Sequence, residues 1–202
     1  MKKLFVLTLI FLSLSGISCS VYKTIVNVSR LKFKLGNVEN IELSGVNLDN
    51  KKSLSDFNSI EVIKLTASVA RRTMPLTFIL NVEAYNPNDG TGGYARTDIT
   101  LKSFPWNLYI DDKQTISGNI DKPVIIPGTG ESTIIPIRMN VDLFKFFKDK
   151  DYEDLVNLAL AINRTKGTSA KFTLYAQPTV TTPIGDITYP GQLKIVGMSF
   201  TN

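Results

Sequence analysis

Alternation of apolar and polar positions is cleanest from Pro75, where Leu76, Phe78, Leu80, Val82 and Ala84 share one face and Thr77, Asn81, Glu83 and Tyr85 the other. A period of two is the mark of a half-buried strand. Asn86-Pro87-Asn88-Asp89-Gly90 stops it with a run of turn formers, and Gly92-Gly93 prolongs the loop, predicting a hairpin-type connection. Further alternating segments follow at Ile99 and Leu101, at Trp106, Leu108 and Ile110, and at Ile116 and Ile120, punctuated by Ser103 to Pro105 and by Asp111-Asp112-Lys113. Others are expected at Ser132 to Val141, Ala170 to Gln177 and Gln192 to Phe200. Short strands with Gly and Pro punctuation predict a mostly β chain folded as an antiparallel sandwich or barrel.

Two segments leave this rhythm. Ser53-Leu54-Ser55-Asp56 has the layout of a capping box with Asp in place of Glu, and the apolar positions from Phe57 to Arg72 suit a helix or a short strand; helix is the reading adopted. From Asp151 to Asn163, Leu155, Leu158, Ala159 and Ile162 fall on one helical face, with acids in the first turn where the dipole favours them. Nearer the start, Leu31, Phe33 and Leu35, then Ile41 and Leu43, then Val46 and Leu48 around Ser44-Gly45, predict a strand pair. No period of 20 to 50 residues recurs, which excludes solenoids and propellers.

The first 18 residues have a different pattern. Lys2 and Lys3 precede an almost wholly apolar stretch of 11 residues, Leu4 to Leu14, the layout of a signal peptide. A bilayer-spanning helix needs roughly 20 apolar residues. Ser15-Gly16-Ile17-Ser18-Cys19 then resembles a lipobox, departing from the usual pattern at Gly16, where an aliphatic residue is common. The resemblance implies cleavage before Cys19, a diacylglyceryl thioether on its sulfur and acylation of the new amino terminus, and two or more chains anchor stably where one is marginal. The expected organisation is a signal peptide over 1–18, a lipidated tether over 19–30 and one β-sandwich domain over 31–202.

Composition narrows the function classes. Cys19 is the sole cysteine, so no intramolecular disulfide can staple the fold, and the 184 residues that would remain after cleavage must rely on their core. Lys and Arg number 23 against 18 acids, net +5, and losing Lys2 and Lys3 leaves +3. The cations are scattered, with short clusters at Arg30, Lys32, Lys34 and at Arg71-Arg72, too sparse for a nucleic-acid footprint.

With no histidine, Ser-His and Cys-His nucleophile pairs and histidine metal sites are excluded. Asp149-Lys150-Asp151-Tyr152-Glu153 opens like a calcium loop, but Asp154 stands where Gly is required and Leu160 where the terminal Glu belongs. Gly90-Thr91-Gly92-Gly93 lacks the Lys and the following helix of a phosphate cradle. No catalytic residue, metal or cofactor is therefore expected. Trp106 alternates with Leu108 and Ile110 and is assigned to the core. Phe144, Phe146 and Phe147, with Leu143, form the densest aromatic cluster, ahead of an expected helix; core packing is the default reading, and Phe144, Phe146 and Phe147 lining a hydrophobic groove or touching a membrane is the functional one.

Val46-Asn47-Leu48, Asn86-Pro87-Asn88, Trp106-Asn107-Leu108-Tyr109-Ile110-Asp111, Ser117-Gly118-Asn119, Ile126-Pro127-Gly128-Thr129-Gly130, Ile135-Pro136-Ile137, Thr182-Pro183-Ile184-Gly185-Asp186 and Pro190-Gly191-Gln192-Leu193 resemble, in order and spacing, the late-embryogenesis-abundant type 2 group, also called the water-stress and hypersensitive response domain. The likeness runs from Lys32 to Phe200 and departs from the group over Leu54 to Arg72. It implies an immunoglobulin- or fibronectin type III-like sandwich with one or two short helices, and a non-enzymatic binding or structural role, stress or desiccation related. Asn86, Pro87 and Asn88 are expected to do structural work, because proline holds Asn86 extended and Asn88 tolerates the turn. The expected partners are a membrane, through lipid on Cys19, and an envelope protein or hydrophobic ligand. Ser20 rather than Asp after the cysteine implies the periplasmic face of the outer membrane. The alternative is a periplasmic carrier or sensor of lipids or other hydrophobic small molecules.

Overall fold

A computed structural model describes residues 22–163, 172–197 and 200–201. The chain is mostly β. A helix over 22–29, α1, leads into β1 (Lys32–Leu43), and Ser44-Gly45 then turns the chain into β2 (Val46–Asn47). Both turn residues have positive φ, 52° and 74°, the geometry that matches strand twist in a two-residue hairpin. The expected strand pair is thus one long strand and a two-residue partner. β1 accommodates its length through register shifts against β3 (Pro75–Tyr85) between Leu35 and Val38 and between Glu39 and Glu42.

The segment before β3 is helical, but it starts later than its first capping signal. Ser53 opens only a 3-10 turn, Leu54–Asp56, in which the Asp56 carboxylate accepts from the backbone N–H of Lys52 and Ser53. Those bonds hold Asp56 below the usual carboxylate range. After extended Phe57 a second box begins α2 (Ser59–Ala70): the Asn58 side chain accepts from the Glu61 N–H and Glu61 accepts from the Asn58 N–H. Glu61 also takes a 2.8 Å ion pair from Lys51.

β4 (Ile99–Ser103), β5 (Trp106–Ile110), β6 (Lys113–Gly118), β7 (Val124–Ile126) and β8 (Ser132–Asp142) follow, then α3 (Leu143–Phe146), α4 (Tyr152–Asn163), β9 (Phe172–Ala176), β10 (Thr179–Thr182), β11 (Gly185–Thr188) and β12 (Leu193–Ile195). All pairing is antiparallel. One layer has the order β2-β1-β3-β8. The other consists of two four-stranded pieces, β11-β10-β4-β7 and β12-β9-β5-β6.

These two pieces are separate sheets that meet at a pair of prolines. Pro105 lies between β4 and β5, Pro178 between β9 and β10, and the Gln177 N–H still reaches the Pro105 carbonyl at 3.0 Å across the break. The loop after Asn86 is consequently not a hairpin: β3 pairs with β1 and β8, while β4 lies in the other layer, so residues 86–98 cross between layers. The Asp111-Asp112 turn does close a hairpin, β5 to β6, with positive φ at both residues. β7, β10 and β11 are short strands the alternation did not predict, and β12 is shorter than expected.

The core fills the space between layers. Phe33 meets Phe104 at 5.2 Å between ring centroids, Phe78 stacks on Phe172 at 5.5 Å, and Trp106 is buried. α4 buries Leu155, Leu158, Ala159 and Ile162 as expected and adds Val156 and Leu160. Asp151 accepts from the Asp154 N–H at the start of that helix, so its carboxylate serves as a cap.

β8 is an edge strand. The Leu143 N–H to Met74 carbonyl bond fixes the ladder phase, so residues 133 to 141 at odd positions bond β3 and even positions point their backbone outward. Pro136 therefore removes an outward N–H from the middle of this edge, one of the ways sheets resist pairing with another chain.

Candidate functional site

The junction at the end of β3 holds a dense network of buried side-chain hydrogen bonds. Asn86 and Asn88 are fully buried. The Asn86 amide donates to the carbonyls of Thr97 (2.8 Å) and Ile126 (2.9 Å), tying the crossing loop and β7 to the end of β3. Its oxygen accepts from the Asn88 N–H and side-chain amide. Asn88 in turn donates to the Asn27 carbonyl of α1 at 2.9 Å and accepts from Arg30 at 2.8 Å, while Arg30 lies 3.7 Å over the Tyr94 ring. Gly128 packs against this knot, with its N–H on Asp98 at 2.8 Å. In the triplet Asn86-Pro87-Asn88, proline sets the backbone and both side-chain amides are hydrogen-bonded inside the protein.

What the sequence did not show is that α1 belongs to this knot. Val28 is buried in the core, and buried Tyr189 donates its hydroxyl to the Val28 carbonyl at 2.5 Å. Burial pushes the Tyr189 phenol well above its ordinary range, so it remains a donor at any physiological pH. Tyr189→Phe is expected to cost about 1 kcal/mol, because the Val28 carbonyl loses one of its two donors and keeps only the Leu31 N–H at 3.1 Å. Amide hydrogen exchange should speed up over residues 22–30 more than over β3; a uniform change would mean that α1 is not held through this bond.

Two clefts flank α1. One, of about 210 Å3, is lined by Lys23, Asn27, Ile99 and Pro183 among others, and the second, of about 280 Å3, by Tyr22, Val26 and Tyr94. Cys19 lies outside the described residues. Among the described residues, no helix is long and apolar enough to cross a membrane, and no group of three or more Cys, Asp or Glu residues is placed to hold a metal ion.

The phenylalanine cluster sits at the other end of the domain. Phe147 is buried, and Phe144 and Phe146 are partly buried and packed against the core. Phe144 lines a cleft of about 450 Å3, but its companions there are Arg72, Asp142, Lys145 and Lys148, so the lining is largely charged. Asp142 is occupied as the cap of α3: one oxygen accepts from the N–H groups of Met74 (2.9 Å) and Phe144 (3.1 Å).

Arg72 reaches this place through the end of α2. The Thr73 N–H bonds the Ser68 carbonyl and the Arg72 N–H bonds the Val69 carbonyl, the two bonds of a Schellman ending. Arg72 occupies the left-handed position, φ 55°, that glycine ordinarily fills. In the sequence Arg71-Arg72 stands out only as a short basic pair, and an arginine at the end of a helical stretch is the signal that marks its place.

No family model matches the chain, and no curated protein matches it. Three solved structures are similar in part. The solution structure of a candidate late embryogenesis abundant (LEA) protein shares 16% identity over 95% of this chain and 86% of its own, with a TM-score of 0.38. A solution structure from Arabidopsis thaliana shares 14% identity over 82% of this chain and 83% of its own, TM-score 0.33. A crystal structure of a protein from Archaeoglobus fulgidus shares 8% identity over 59% of this chain and 82% of its own, TM-score 0.32. Likenesses of this size transfer neither family nor activity to the chain.

Proposed function

We propose that the chain is a lipid-anchored, non-enzymatic lipoprotein of the cell envelope, of the late-embryogenesis-abundant type 2 kind, with a binding or structural role in stress. The observation that carries the reading is the mounting of α1. Residue 22, three positions after Cys19, is already helical, and that helix is fastened to the sandwich by Asn88, Arg30 and Tyr189. A diacylglyceryl group on Cys19 would thus pull on a rigid mount rather than on a slack linker. The absence of histidine and the consumption of both junction amides inside the fold support a role without catalysis.

Cys19→Ser tests the anchor. The parent chain is expected in the membrane fraction, its N-terminal peptide carrying the added mass of acyl chains, and the variant in the soluble fraction without that mass. A parent N-terminus free of lipid, with both proteins partitioning alike, would overturn the proposal.

A further inference from the structure

We infer that the cleft at the end of α2 is a binding site for an organophosphate, with the phosphate held by Arg72, Lys145 and Lys148 and the attached group lying over Phe144. Three cations line one recess of about 450 Å3, and no ion pair joins any of them to a carboxylate of the described residues. The single acid present, Asp142, already has one oxygen engaged by two backbone N–H groups. With three cations against one carboxylate the recess is net positive, and among these cations Lys145 also lies 5.5 Å from the Phe146 ring centroid. A phosphate offers several acceptor oxygens to such a set, and guanidinium matches it through two parallel bonds. The recess also exceeds what a bare ion fills, and Phe144 supplies an apolar wall for whatever the phosphate carries.

The backbone gives an independent reason. Arg72 is a non-glycine residue in left-handed geometry at a helix stop, a place where glycine would be easier. Strain of this sort is tolerated where the side chain has a use, and here the side chain lines the recess. The site does not depend on the anchor reading. It lies at the Pro75 end of β3 while α1 lies beyond the Tyr85 end, about 33 Å away along an 11-residue strand.

The test uses the purified full-length chain in an uncharged detergent, with amide shifts followed by NMR. One arm adds glycerol phosphate, the other dihexanoyl phosphatidylglycerol below its micelle concentration, both at constant ionic strength. Saturable shifts are expected at residue 72 and over 143–148, and Lys145→Gln and Lys148→Gln should each weaken binding about ten-fold. Arg72→Gly should weaken it similarly while raising the melting temperature, a combination that loss of folding cannot mimic. Tighter binding of the lipid would support the proposal with a headgroup as the source, and equal binding would support it with a soluble phosphoester. No saturable shift in either arm, or shifts that the three variants leave unchanged, would overturn it.

Discussion

Asn86→Asp is expected to destabilise the protein by about 4 kcal/mol at neutral pH. The substitution preserves shape and replaces two N–H donors with an oxygen facing the Thr97 and Ile126 carbonyls, at a position with no exposure. Both carbonyls lose their donor, and an unpaired charge is left in the interior. The remaining oxygen keeps its bonds from Asn88, so the loss is specific to the carbonyl side. The sign of the pH dependence follows. Burial and the facing carbonyls would raise the new carboxyl above its unfolded value, so the variant recovers part of its stability as pH falls and loses it as pH rises through the folded value. Urea unfolding at several pH values checks this. A penalty under 1 kcal/mol, or one that does not ease on acidification, would mean that water reaches the site and that the junction is not the closed network described.

The chain announces its local structure far better than its pairings. β3 runs over the residues that the alternation picked out, because the apolar residues at its even positions from Leu76 to Ala84 are all buried and leave one register, although Asn81 on the opposite face is buried too. The turns at Ser44-Gly45 and Asp111-Asp112 were equally readable, since left-handed geometry selects few residues. Where β3 finds its partners was not, because strand neighbours are chosen by contacts distant in sequence. A turn-rich loop after Asn86 looks the same whether it doubles back or crosses to the second layer. It crosses because the Asn86 amide holds Thr97 and Ile126, a bond between residues 40 apart that no local pattern displays.

Tandem signals misled in a related way. Ser53 and Asp56 resemble a helix start, yet the helix begins after the second box at Asn58, since Phe57 is extended and breaks the run. Of the phenylalanine cluster, Phe144 lines a recess, while Phe146 packs against the core and Phe147 is buried in it. The groove's character was set by Arg72, 72 residues before Phe144 in the chain and brought to it by the β3–β8 pairing. Charge in a recess is a property of the fold, and the hydrophobic run alone suggested an apolar lining.

Gly128→Ala is expected to cost at least about 3 kcal/mol, an overpacking penalty at the upper end because the obstruction is backbone. A Cβ there would stand 2.3 Å from the Asn88 carbonyl oxygen and 2.7 Å from that of Thr97. Neither oxygen can step aside cheaply. The Asn88 carbonyl accepts from the Thr97 N–H at 3.0 Å, and the Thr97 carbonyl takes the Asn86 amide, so displacing either breaks a buried bond. Gly191→Ala is the control, since a Cβ at that position meets nothing within 4 Å, and it should change stability by less than about 0.5 kcal/mol. The double variant Asn86→Asp with Gly128→Ala should cost clearly less than the two single penalties together, because each disrupts the same set of bonds. Denaturant midpoints with unchanged slopes measure all four proteins. Additive penalties would show that Gly128 acts on β7 alone, and that the close approach of Asn88, Thr97 and Gly128 is not one cooperative knot.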